Sequence, residues 1–76
     1  MNTARYFKDQ RFKHSISITI PAGRNFDSYV DAMTEWLIED ENMTGDWGFD
    51  TINDSPVIIA FTFSDLNAAT MFKLKF

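Results

Sequence analysis

The sequence predicts an α+β domain of ferredoxin-like arrangement, βαββαβ, with a four-stranded antiparallel sheet and both helices on one face. Three observations predict it. Residues 12–20 alternate with period two, residues 26–37 carry an apolar stripe at helical spacing, and residues 47–63 hold two strand-like runs around turn chemistry. A short helix and a last alternating run complete the order.

The first run sets Phe12, His14, Ile16, Ile18 and Ile20 against Lys13, Ser15, Ser17 and Thr19. β-Branched residues on one phase read as a half-buried strand, and Pro21-Ala-Gly23 ends it. Residues 1–11 are read as a basic lead-in to a single domain spanning 1–76. Asn25 suits a helix N-cap, because its side chain can accept from an unpaired amide of the first turn. Behind it Phe26, Tyr29, Val30, Met33, Trp36 and Leu37 form one stripe on a helix ending near Asp40. Trp47, Phe49 and Thr51 alternate with Gly48 and Asp50 in a short strand. Asn53-Asp54-Ser55-Pro56 is turn chemistry, and Val57–Phe63, apolar at nearly every position, reads as a central strand. Ser64 is the expected cap of a short second helix through Leu66, Ala69 and Met71. Phe72-Lys-Leu-Lys-Phe76 then alternates as a final strand. The expected core is Ile16, Ile18, Val30, Met33, Leu37, Ile59 and Phe61.

Phe61-Thr-Phe-Ser-Asp65, Ala68 and Phe72-Lys-Leu-Lys-Phe76 together resemble the C-terminal end of small uncharacterised proteins encoded by tailed bacteriophages. The resemblance implies a viral accessory or host-interaction protein. It carries no catalytic residue across.

A chain of 76 residues buries only about 60 to 65% of its unfolded surface, so its core must be rich. Eight Phe, two Trp and two Tyr supply it and argue against disorder. With no Cys, neither a disulfide nor a thiolate metal site is possible. The charged N-terminus does not read as a signal peptide, and no apolar run approaches the roughly 20 residues that span a bilayer. A cytoplasmic protein without membrane contact is expected, in the host cytoplasm if it is viral.

Charge is segregated along the chain. Residues 1–24 hold Arg5, Lys8, Arg11, Lys13 and Arg24 against Asp9 alone, whereas residues 25–65 hold ten acids and no Lys or Arg. The net charge is −4. Within the predicted helix, Asp27, Asp31, Glu35 and Glu39 recur every fourth residue, about 6 Å apart along the axis. Like charges at that spacing cost a few tenths of a kcal/mol per pair. The bland reading is a solvated face, with Asp27 favoured by the helix dipole and the others paired to distant bases. The functional reading is a surface that steers toward a basic protein, in its sharpest form by mimicry of DNA. Asp40, Glu41 and Asp46 in the following loop extend the candidate partner-binding set.

Other chemistry is sparse. The single His14 falls on the core-facing phase and reads as a satisfied core or edge residue. Neither a nucleophile elbow nor a phosphate-cradling glycine loop occurs, so no catalytic residue and no cofactor are assigned. Asp40, Asn42, Thr44 and Gly45 match positions 1, 3, 5 and 6 of a calcium loop. Thr51 stands where the bidentate Glu is needed, so no metal site is assigned. The expected open sheet face (Lys13, Ser15, Ser17, Thr19, Ile58, Ala60, Thr62, Lys73 and Lys75) is mildly basic but lacks the aromatics that stack on bases.

A non-enzymatic protein-binding module acting through the acidic helix is therefore the leading expectation. A homo-oligomeric structural or assembly protein is the alternative. Nucleic-acid binding through the basic N-terminal arm is the weaker one.

Overall fold

Alternation of Ile with small hydroxyl residues makes His14–Thr19 a strand, but it is the second strand of the chain. The computed structural model describes residues 1–8 and 10–76; Asp9, the lone acid of the lead-in, lies outside the described residues. The elements are β1 (Arg5–Tyr6), β2 (His14–Thr19), α1 (Phe26–Glu39), β3 (Asp46–Asp54), β4 (Val57–Phe63) and α2 (Leu66–Lys75). The fold is α+β, with two helices and a four-stranded sheet ordered β1-β3-β4-β2. β1 runs parallel to β3 and the other pairs are antiparallel, so the sheet is mixed.

The βαββαβ order of a ferredoxin-like arrangement is therefore corrected. The fourth strand comes from the N-terminal lead-in, and Phe72–Lys75, expected in a final strand, forms the last part of α2. Burial explains why. Ala68, Ala69 and Phe72 are buried at helical spacing, whereas Leu74 is 83% exposed. A strand would have put Phe72, Leu74 and Phe76 on one face. Ser64 is not the cap either: the Asp65 side chain accepts from the Asn67 amide at 3.0 Å.

α1 starts as expected, with Asn25 Oδ1 accepting from the amides of Asp27 and Ser28. Met33 and Leu37 are buried, and Tyr29, Val30 and Trp36 pack half-buried around them. Its C-terminal carbonyls find a partner outside the helix. The Asn2 side-chain amide donates to Leu37 O, Ile38 O and Asp40 O, each at 2.8 Å, so two hydrogens are shared among three acceptors.

The core lies between the helices and one sheet face. Phe72 of α2 packs on Phe61 and Phe63 at ring-centroid distances of 4.8 and 5.3 Å. Of the expected core, Met33, Leu37, Ile59 and Phe61 are buried, while Ile16, Ile18 and Val30 are only half-buried. Ile16 and Ile18 lie on the correct phase, but β2 is a sheet edge, where one flank stays open. Ile20, Met43, Phe63 and Trp47 fill the remaining core.

Because side chains alternate across a strand, Gly48, Ala60 and Thr62 face away from the helices. Phe7, Gln10 and Phe12, between β1 at one edge and β2 at the other, lie on this face. A Cβ on Gly48 would stand 2.8 Å from both Phe7 O and Gln10 O. The Phe12 amide donates to Thr62 Oγ1 at 3.1 Å, and Arg11 pairs with Asp50 at 2.8 Å. The expected open, mildly basic face is thus partly covered, and Lys73 and Lys75 belong to α2 instead.

Candidate interaction surfaces

The helical register of α1 turns Met33 and Leu37 inward, which leaves Asp27, Asp31, Glu35 and Glu39 outside. All four are exposed. Among the described residues the one ion pair within 4 Å is Arg11 with Asp50, so no described base neutralises the row at contact distance. The expectation that distant Lys or Arg relieve it is not met there.

Beside the row lies an apolar hollow of about 270 Å³, lined by Tyr6, Val30, Thr34, Ile38, Trp47 and Phe49, with Asp31 at its rim. Ile38 and Tyr6 are 65% and 47% exposed. Sequence reading missed this feature. Its signal was Ile38, an apolar residue out of phase with the inward stripe.

The other acids of the candidate set sit elsewhere. Asp40 caps the end of α1 and is half-buried, its carboxylate accepting from the Asn42 amide at 2.8 Å. Glu41 is exposed in the loop that follows. Asp46 opens β3 in register with Arg5, and its backbone bonds to Ser64 on both sides. The partial calcium loop divides in the same way, since Asp46 and Asp50 belong to a strand. No cluster of three or more His, Cys, Asp or Glu placed to hold a metal is found among the described residues.

His14 is half-buried at the start of β2. The neighbouring Asp65 carboxyl has its pKa lowered, first by the Thr44 hydroxyl and then by the Asn67 amide. The Thr44 hydroxyl donates to Asp65 at 2.6 Å, and the Asn67 amide adds a second bond. This contact holds the loop before β3 against the start of α2. Gly45, at φ +83°, is required there, because a Cβ would lie 2.9 Å from Asp65 Cβ and Ser64 Oγ.

Arg5 lies in β1 and Arg11 on Asp50, but Lys13, Lys73 and Arg24 border the opposite, β2 edge. Lys13, His14, Leu66, Thr70 and Lys73 border one hollow beside β2. A larger one, about 530 Å³, is bounded by Ile18, Pro21, Tyr29, Met33 and Phe76 with Arg24. No helix among the described residues is long and apolar enough to cross a membrane. Compared with protein-family models, curated proteins and solved structures, the chain matches none.

Proposed function

We propose that the chain is a non-enzymatic protein-binding module of a phage, acting as an accessory protein that engages a basic host or viral protein through the outer face of α1. The observation that carries this reading is the row Asp27, Asp31, Glu35 and Glu39, exposed and without a basic residue at contact distance among the described residues. Unrelieved like charges at i, i+4 strain a helix, so stability alone does not ask for the row. The adjoining hollow gives the partner an apolar foothold, with Ile38 and Tyr6 at its lip. Specific interfaces combine such an apolar centre with a charged rim that steers encounter. The phage assignment is supported by the resemblance of the Phe61–Phe76 segment, and the basic partner fits a nucleic-acid-binding protein.

Capture of partners from a bacterial host extract by the full chain tests the reading. Added salt should weaken capture steeply, since screening over about 10 Å removes the steering. Reversal of Asp31 and Glu35 to Lys should abolish capture while leaving the fold intact, and Asp54→Lys in the β3–β4 turn should not. Full capture by the double variant would move the oligomeric assembly reading to first place.

A further inference from the structure

The edge formed by β2 presents a second surface whose chemistry is opposite to that of α1. The Ile20 amide donates to Val57 O at 2.9 Å, and His14–Thr19 continue that antiparallel register along β4. In an antiparallel ladder alternate residues bond to the same neighbour. The even positions therefore bond to β4, and Ser15, Ser17 and Thr19 direct their N–H and C=O groups outward. These three residues form a free ladder at the end of the sheet.

Sheet edges are normally blunted by a charge, a proline, a bulge or a very short strand. The other edge obeys that rule, because β1 has two residues. From Ser15 to Thr19, β2 carries no charge, no proline and no register shift. Beside its second half lies the 530 Å³ hollow floored by Ile18, Tyr29, Met33 and Phe76. The edge is flanked by bases, with Lys13 and Lys73 near its start and Arg24 beyond its end. None of the three is in an ion pair with a described residue. Of the described acids near this edge, Asp65 is already held by Thr44 and Asn67, and Asp54 shares a hollow with Arg24 without an ion pair.

We propose that β2 is a docking strand for an extended segment of a partner protein, apolar at alternate positions and carrying a carboxylate near each end. The segment adds a fifth strand. Its main chain bonds to Ser15, Ser17 and Thr19, and a side chain opposite Ile18 enters the hollow. The terminal carboxylates meet Lys13 with Lys73 at one end and Arg24 at the other. Charge argues for this occupant over a second copy of the chain. A two-fold pairing of β2 with itself about Ser17 would bring Lys13 of each copy to the end where Arg24 of the other stands. The proposal is independent of the acidic α1 face, since reversal of Asp31 and Glu35 leaves this edge unaltered.

The test is an NMR titration of the 15N-labelled full chain with a capped seven-residue peptide, Asp-Thr-Val-Thr-Val-Thr-Asp. Saturable binding is expected, with amide exchange at Ser15, Ser17 and Thr19 slowed at least tenfold while Ile16 and Ile18 change little. The same peptide with Lys at both ends should bind at least tenfold more weakly. Ser17→Pro removes only an outward donor, which an edge strand tolerates, and should weaken binding tenfold with the fold retained. A peptide N-methylated at all five central residues keeps charge and side chains but donates none of the ladder bonds, and it should not bind. The proposal is overturned if millimolar peptide leaves those three amides unprotected, or if the N-methylated peptide binds as well. Protection that rises with protein concentration alone would overturn it too, in favour of a second copy.

Discussion

On the helix-covered face of the sheet, Ile59, Phe61 and Phe63 meet large side chains, with Phe72 set among the rings. On the other face, beside the buried Ala60, Gly48 and Thr62 meet a backbone: the carbonyls of Phe7 and Gln10 and the amide of Phe12. Both faces exclude water, since all six sheet residues are buried. They do so differently. One face gains from apolar area and close packing; the other works by small side chains that let the chain lie flat and by hydrogen bonds that satisfy it. The first kind of burial costs most when a large group is removed, the second when any group is added.

Substitutions of opposite kind separate these two modes. Phe72→Ala should lose about 3 to 5 kcal/mol and Leu37→Ala about 2 to 5, because both side chains are fully buried. Denaturant unfolding reads the loss directly. A change within half a kcal/mol at Phe72 would mean that the C-terminal segment does not pack as a helix. Leu74→Ala, at a site 83% exposed, is the internal control and should stay within that margin.

Gly48→Ala adds a group to the face covered by backbone. In an ordinary exposed strand the change would stabilise the protein by about 0.5 to 1 kcal/mol, because Gly loses more freedom on folding. Here the added methyl meets two backbone carbonyls at 2.8 Å, and backbone cannot rotate away as a side chain can. A loss of about 1 to 3 kcal/mol is expected. A gain would show that the N-terminal segment is a loose arm.

Asn2→Ala probes the same segment one step further out. It removes the donor that serves three carbonyls at the end of α1. A net loss of about 1 to 2 kcal/mol is expected, together with faster amide exchange in the last turn of α1. Unchanged exchange there would mean that water replaces the Asn2 amide at no cost.

The contrast between faces also explains what the sequence disclosed. Side-chain burial leaves a periodic trace, so β2, α1 and β4 were legible from Ile16, Met33, Leu37 and Phe61 alone. Backbone-on-sheet burial leaves almost none. Gly48 read as the outward residue of a strand, and residues 1–11 as a basic tail, because a carbonyl resting on a glycine has no hydropathy signal. The second helix was expected, but its last part was misread for another reason: Phe72, Leu74 and Phe76 satisfy period two, while Ala68, Phe72 and Phe76 satisfy a helical stripe. Over so few residues the two patterns coincide. Tertiary context decided: Ala68, Ala69 and Phe72 are buried together only at helical spacing, with Phe72 packed on Phe61 and Phe63. Of the candidate surfaces, the acid row was readable from spacing. The hollow beside it was not, because Tyr6, Trp47 and Ile38 come from three separate elements.

The smallest expected effect lies at the end of the sheet, where Asp65 joins α2 to the loop before β3. The Thr44 hydroxyl and the Asn67 amide both donate to its carboxylate and hold its pKa below the usual carboxylate range. A depressed folded-state value means that the unfolded chain binds the proton more readily. The stabilisation is therefore complete above the unfolded pKa, near 4, and is lost as pH falls through the lower folded value. Asp65→Asn keeps an N-cap acceptor of comparable quality, so α2 should still form. It removes the titrating charge, and the fall of stability below about pH 4 should become shallower than in the parent chain. Paired denaturant melts across that window check it. Identical slopes in the two proteins would mean that the Thr44 contact does not distinguish carboxylate from acid, and that the two ends are held by the packing around Met43 and Phe63 alone.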